Sequence, residues 1–293
     1  DCERMMYRVQ EAGHEITMNV VDCDVVVINT CGFIDSAKAE AIDHILQTAQ
    51  LKEQGLAGKI LVTGCLSQRY KNEILTELPE VDGVLGTGSY SRIVEAVNAV
   101  AAGETPSYFD SIHAPVEELD RVLTTPPYIA YLRIAEGCDN HCAYCVIPSL
   151  RGKYRSRSME NVLAEAKKLA DDGVKELIII AQDITRYGID LYGEKKLSAL
   201  LRELCKMDFR WIRLHYLYPD EMPDELLEVI ARSEKILHYF DIPIQHINDR
   251  VLKSMNRKGN RAVIESAVAR LRAMGLRTVM LTGDNRAAAE YMA

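Results

Sequence analysis

The sequence predicts an α/β protein: an N-terminal three-layer domain on a parallel sheet, followed by an incomplete (β/α) barrel. Three observations predict it. Strand-like β-branched runs alternate with helical segments along nearly all of the 293 residues, the pattern of parallel sheets with crossover helices. The alternation lapses once, over 103–127, where Pro106, Pro115, Pro126 and Pro127 gather and periodicity is weak. The first strand after that lapse then runs into a short loop carrying Cys138, Cys142 and Cys145.

Each element has its own signal. Residues 24–29 (DVVVIN) form a continuous β-branched run, as expected of a strand buried on both faces. A helical pattern follows over 36–51, with Ser36 as its N-cap. Residues 59–63 (KILVT) make a second buried strand, 70–78 a helix stopped by Pro79, 84–85 a short strand, and 91–102 a helix closed by Gly103. Residues 1–102 are thus the first domain and 103–127 the linker. From Tyr128 a second series places strands at 129–134, 176–181, 211–215, 239–244 and 278–281, with helices such as 159–171 and 224–233 between them. The partial barrel occupies 128–274 and leaves an atypical tail at 275–293. Ligands of both architectures sit at the carboxyl ends of the strands. Cys31 and Cys65 each fall just after a strand, at that edge.

Composition narrows the class. Hydrophobic residues make up 48% and charged residues 27%, values at which a globular chain buries a core. No apolar run approaches the ~20 residues of a membrane span, and the polar start DCERMMYRVQ has no signal-peptide core. The formal net charge of −8 argues against a protein that grips nucleic acid over a broad basic face. The densest basic stretch, 151–157 (RGKYRSR), reads on charge alone as a solvated loop. With no secretory signal, the eight cysteines point to a reducing, cytoplasmic setting, where clustered thiols are metal ligands or catalytic groups. The chain does not begin with Met and reads as a fragment of a longer protein.

Cys138, Cys142 and Cys145 form C-x3-C-x2-C, with Tyr144 before the last cysteine. Three thiolates on one loop hold three irons of a four-iron, four-sulfur cubane and leave the fourth iron open. An open iron is where the amino and carboxylate groups of S-adenosylmethionine chelate before reductive cleavage. The competing reading, a structural zinc site, wants four ligands and usually paired knuckles. No second pair lies nearby, and His141 is poorly placed to join the three thiolates.

At this point the chain resembles the methylthiotransferases of the radical S-adenosylmethionine superfamily, and within them the RimO type. The resemblance rests on VVVINTCGFIDSAK (25–38), VTGCLSQRY (62–70), GCDNHCAYCVIPSLRGKYRSR (137–157), IIIAQDITRYGIDLY (178–192) and DIPIQHINDRVLKSMNRKG (241–259). It implies an N-terminal methylthiotransferase domain, a radical barrel and two four-iron, four-sulfur clusters. Cys138, Cys142 and Cys145 would hold the radical cluster, and Cys31 and Cys65 the auxiliary one. The implied reaction installs methylthio on an aspartate of small-subunit ribosomal protein twelve. S-adenosylmethionine is the cofactor, and an electron donor such as flavodoxin or ferredoxin the redox partner. No membrane is involved. The alternatives are methylthiolation of a tRNA adenosine and an inactive cluster-binding fragment.

The chain departs from that family at both ends. A third auxiliary-cluster cysteine is expected upstream of Asp1, and Cys2, Cys23 and Cys205 match no family ligand. The tail GLRTVMLTGDNRAAAEYMA (275–293) resembles instead the TGDN segment of P-type cation ATPases, whose DKTGT motif is absent. Where this tail stands, the family has a sixth strand and a substrate-docking β-barrel, which this sequence is expected to lack.

Other residues stand at the active edge with two readings each. Tyr144, Gln182, Asp183 and Arg155 are candidate contacts for S-adenosylmethionine. Arg186 shares the ambiguity: Asp183 could equally cap its loop and Arg186 be solvated. Arg157, like Arg155, could pair with a cofactor carboxylate. Gln245 and His246 are ambiguous in the same way, His215 could be a satisfied core histidine, and Tyr187 and Tyr192 read as packing residues.

Overall fold

The computed structural model describes residues 1–118, 120–283, 286, 287 and 290. The chain divides into two compact units, Asp1–Thr124 with Val146–Lys153, and Thr125–Cys145 with Tyr154–Ala293.

The first unit is a three-layer sandwich on a four-stranded parallel sheet, in order β1 (Val25–Thr30), β2 (Lys59–Gly64), β3 (Gly83–Leu85), β4 (Ser107–Tyr108). Its helices are α1 (Cys2–Glu11), α2 (Asp35–Glu53), α3 (Cys65–Tyr70), α4 (Glu73–Glu77), α5 (Ile93–Ala101) and α6 (Ile147–Arg151). The alternation of side chains along a strand explains the layers. On β2, Ile60 and Val62 face Ala41, Ile45 and Ala49 of α2. Leu61 between them joins Met5 of α1 and Ile93, Ala96, Val97 and Val100 of α5 on the opposite face. All three β2 residues are wholly buried, each worth about 1.5–3 kcal/mol in apolar burial.

Four features of this unit differ from the sequence reading. The helix expected over 36–51 begins at Asp35 with Ile34 at its N-cap, so Ser36 lies inside the first turn. The helix expected over 70–78 is split, because Lys71 takes a left-handed backbone (φ 50°) between α3 and α4. The 91–102 helix opens with a 3-10 turn at Tyr90–Arg92. Proline-rich 103–127 contributes β4, because the carbonyls of Pro106 and Tyr108 accept from the amides of Val84 and Gly86.

The second unit carries a parallel sheet in order β5 (Ile129–Arg133), β8 (Glu176–Ile180), β9 (Trp211–Leu214). Between the first two lie the short antiparallel pair β6 (Ala135–Glu136) and β7 (Arg155–Ser156) and the crossover helix α7 (Met159–Asp171). Then come α8 (Ile189–Tyr192), α9 (Leu197–Leu204), α10 (Asp224–Arg232), α11 (Asp249–Ser254) and α12 (Arg261–Ala273). One sheet face, Ala130, Leu132, Leu177, Ile179, Ile212 and Leu214, is buried. The other presents Tyr131, Arg133, Glu176, Trp211 and Arg213, with Arg213 Nε donating to Glu176 Oε1 at 2.6 Å. An apolar outer face under helices and a mixed inner face are what a barrel wall requires.

Two expected strands of this unit are corrected. Residues 239–244 form no ladder; the neighbour of β9 is an isolated parallel bridge from Ile212 to Ile236, closed by Ile212 N–H to Lys235 O and Leu237 N–H to Ile212 O. Pro243 lacks the N–H a ladder needs, and pairing falls earlier in the chain. Residues 278–281 form no strand either, and Val279 and Leu281 are exposed. Of the TGDN segment, Asp284 and Asn285 lie outside the described residues. Among the described residues no helix is long and apolar enough to cross a membrane.

Candidate metal centres

The cysteine loop of the second unit starts where β6 ends. Gly137 turns the chain with φ 77°, and His141 makes a second left-handed step at φ 48°. Such a value is uncommon for a residue with a Cβ, and here the surrounding contacts fix it. Asn256 Nδ2 donates to the His141 carbonyl at 2.8 Å, and the Ala143 amide donates to Met255 O at 2.9 Å. Within the loop, the Cys145 amide donates to Cys142 O at 3.0 Å. Cys138 and Cys142 are buried, Cys145 is half-buried and Tyr144 is exposed.

The thiols sit close enough to affect one another. Burial pushes the Cys138 thiol up to about 11; the Asn140 amide opposes this, and Asp183, Cys145 and Cys142 add to it. A metal therefore has to displace the proton when it binds, which makes loading pH-dependent. Among the described residues no three His, Cys, Asp or Glu side chains gather as ligands of a single ion. A closed zinc site brings four ligands to one ion, whereas a cubane takes each thiolate at a separate corner. Three thiols near enough to affect one another, with Arg257 Nη1 3.8 Å from Cys142 Sγ, fit an anionic cluster.

The candidate cofactor contacts separate into distinct roles. Asp183 is wholly buried and caps the turn at Ile184–Arg186, accepting from the Thr185 amide at 3.0 Å. It also accepts from Asn140 Nδ2 at 3.2 Å, while its carbonyl accepts from Tyr154 Oη at 2.8 Å. Burial raises its carboxyl despite these donors. Gln182 Oε1 is buried without a hydrogen-bond partner, an acceptor of the kind a bound molecule satisfies. Arg155 pairs its backbone with Glu136 across β6 and β7.

Arg157 corrects the expectation of a cofactor contact. Its side chain is buried and bonded to Glu165 Oε2 at 2.7 Å and to Arg133 O at 2.7 Å. Arg186 lies 3.7 Å from Glu221. His215 Nδ1 lies 3.5 Å from Asp241 Oδ2, and His246 Nδ1 accepts from the Asn248 amide. Gln245 takes a left-handed backbone at φ 65°. Tyr187 is wholly buried, and Tyr192 Oη accepts from the Met159 amide at 2.9 Å. Sequence reasoning missed Asn140, Tyr154, Tyr218 and Arg257; the NRKG stretch at 256–259 was the available signal for the last.

In the first unit the register of β1 on β2 pairs Asn29 with Thr63 and Thr30 with Gly64, so Cys31 and Cys65 leave at matched positions. The strand ends approach closely because of two glycines. A Cβ on Gly32 would lie 2.8 Å from Cys65 O, and one on Gly64 only 2.4 Å from Thr30 O. Cys31 is exposed and Cys65 buried. Arg151 Nη2 donates to Cys65 Sγ at 3.4 Å and Nη1 to Asp1 Oδ2 at 2.6 Å. Cys2 Sγ accepts from Asn29 Nδ2 at 3.0 Å at the same edge. Cys23 bonds the Asn19 carbonyl and Cys205 lies 3.3 Å from Ser233 Oγ.

The description "Radical SAM superfamily" matches residues 132–292, which span the whole cysteine loop. The chain belongs to the radical SAM superfamily. An iron–sulfur cluster and S-adenosylmethionine are the cofactors of this superfamily. A second match, "Uncharacterized protein family UPF0004", covers residues 1–86. Among curated proteins, this radical SAM chain is 48% identical over 289 residues to the ribosomal protein uS12 methylthiotransferase RimO of Lachnoclostridium phytofermentans, covering 97% of the chain and 66% of that protein. It is 47% identical to its namesake from a Thermoanaerobacter species, with the same coverages. The chain thus spans just under two thirds of the length of the curated relatives it matches. Among solved structures it is similar to the radical S-adenosylmethionine methyltransferase TsrM of Kitasatospora setae, with cobalamin and a four-iron, four-sulfur cluster bound. The TM-score is 0.61 at 14% identity, covering 87% of this chain and 56% of that one. At such identity the likeness is one of fold.

Proposed function

We propose that the protein is a methylthiotransferase of the RimO type, acting on an aspartate of small-subunit ribosomal protein uS12. The observation that carries this reading is the arrangement of thiols in two separate units. Cys138, Cys142 and Cys145 share one loop after the first strands of the second unit, and Cys31 and Cys65 leave the register-matched ends of β1 and β2 in the first. Similarity to uS12 methylthiotransferases over 97% of the chain supports the substrate.

In this reading residues 1–102 carry the auxiliary cluster and residues 128–274 the radical one, with the stretch between as linker and 275–293 as tail. Cys138, Cys142 and Cys145 hold the radical cluster; Cys31 and Cys65 hold two corners of the auxiliary cluster. When bound, the radical cluster and S-adenosylmethionine supply a deoxyadenosyl radical, and a second S-adenosylmethionine supplies the methyl group. Radical chemistry is required because the target carbon holds its hydrogen too tightly for removal by a general base. The chain's own task is to hold the thiolates, orient the cofactor and keep water out. Gln182 Oε1 offers a buried acceptor to the cofactor, and Tyr144 and Arg155 are its further candidate contacts. Asp183 acts on the loop through Asn140. The electron comes from a flavodoxin or ferredoxin, in the cytoplasm.

The test is anaerobic reconstitution followed by iron and sulfide analysis and incubation with S-adenosylmethionine and dithionite. Deoxyadenosine and methionine should form, and a methylthio group should appear on the uS12 aspartate by mass spectrometry. Replacing Cys138, Cys142 and Cys145 together by Ala should remove one cluster and abolish cleavage. One zinc per chain with no iron would refute the assignment.

A further inference from the structure

We propose that Arg257 is a positioning residue of the radical centre, a buried cation that donates to the Cys142 sulfur and raises the reduction potential of the cluster held there. The inference rests on the assignment of Cys138, Cys142 and Cys145 to that cluster.

Three consecutive residues at the end of α11 grip three consecutive residues of the loop. Met255 O accepts from the Ala143 amide at 2.9 Å, Asn256 Nδ2 donates to His141 O at 2.8 Å, and Arg257 Nη1 reaches Cys142 Sγ at 3.8 Å. The turn that makes this possible is the left-handed Asn256, at φ 54°. The central cysteine of the motif is therefore held through the backbone of both its neighbours, once by a side-chain amide and once by a carbonyl, and addressed in the middle by a charge.

Among the described residues no carboxylate forms a salt bridge with this charge. Arg257 is 9% exposed. Its Nη2 donates to Pro243 O at 2.5 Å, and its guanidinium lies 4.4 Å from the Tyr218 ring centroid. A carbonyl and a phenol ring are neutral. Asp220 and Lys258 are the charged side chains nearby; burial pushes the Asp220 carboxyl up, and Arg257 and Lys258 oppose that rise. A buried guanidinium costs several kcal/mol unless an anion compensates it. The sulfur that its Nη1 addresses is that of Cys142, and the cluster this sulfur would hold is anionic.

The redox consequence has a definite sign. Reduction adds one electron to the cluster, here from dithionite, and changes no covalent bond. A fixed cation and an N–H donor at a ligand sulfur stabilise the more negative reduced form, so they raise the potential; hydrogen bonds to sulfur are among the factors that set it. Truncating the guanidinium should lower the potential.

The experiment is a redox titration followed by electron paramagnetic resonance, on reconstituted wild type, Arg257→Lys and Arg257→Met, without S-adenosylmethionine. Arg257→Met should disfavour reduction at least tenfold, about 59 mV for one electron, with Arg257→Lys between it and wild type. If Arg257→Met fails to retain iron, the Arg257→Lys midpoint decides: a fall supports the proposal, and a wild-type value overturns it. Unchanged midpoints in both variants overturn it too, including when S-adenosylmethionine binds more weakly, which would assign Arg257 to the cofactor's carboxylate. A failed cluster assignment looks different: wild type itself would then show no resonance that the triple cysteine variant removes.

Discussion

Asn140 donates from Nδ2 to Oδ2 of Asp183 at 3.2 Å, so a residue inside the cysteine loop is tied to the turn that follows β8. The two side chains are 43 positions apart in sequence, and both are buried. Every hydrogen bond described for the Asp183 carboxyl is one it accepts, from Asn140 and from the amide and hydroxyl of Thr185. An amide in its place would turn an N–H against a donor. Asp183→Asn should therefore cost about 1–3 kcal/mol and loosen the loop. Thermal unfolding and the rate of iron loss to a chelator should both show it. Wild-type values in each would refute the link.

That bond also marks where sequence reading stopped. The parallel sheets were legible because continuous β-branched runs such as 24–29 admit few other placements, and β1, β2, β5, β8 and β9 lie where periodicity puts them. The cysteine loop was legible from spacing alone. Asp183 had two readings, and the capping one is realised because burial beside Thr185 and Asn140 is a tertiary fact. Arg257 had only the NRKG stretch as a local signal, because the neighbour that gives it a role lies 115 residues away. The expected strand at 239–244 failed because Pro243 interrupts a run that otherwise looks extended.

The pair Arg157 and Glu165 joins the strand side of the second unit to its crossover helix. The Arg157 side chain is 1% exposed and the Glu165 side chain 14%. Arg157 also reaches Arg133 O, and its amide donates to Ile134 O at 2.9 Å. Removing one partner strands the other in a dry setting, at about 3–5 kcal/mol. Arg157→Ala should lower the unfolding temperature by several degrees, and Glu165→Gln by less, since the amide still accepts. If both variants unfold as wild type does, the pair is not a structural contact, and the reading of Arg157 as a cofactor partner returns.

In the first unit, Asp82 ties the end of α2 to the start of β2. It is bonded by Lys52 Nζ, by Lys59 Nζ at 3.1 Å and by the Ile60 amide at 2.8 Å. Burial pushes its carboxyl up, but the Lys52, Ile60 and Lys59 donors outweigh burial and hold it below the ordinary 3.8. A carboxylate with a depressed folded-state value contributes stability that is present above its unfolded value and lost as pH falls through the folded one. Asp82→Asn should thus cost about 1–2 kcal/mol at neutral pH, given that Lys59 is 44% exposed. The difference from wild type should hold to about pH 5 and shrink below about pH 4. Urea midpoints of both proteins at pH 7 and pH 3 measure it. A gap of the same size at both values would show that Asp82 titrates alike in the folded and unfolded chain, and that its lysines do not hold it ionised.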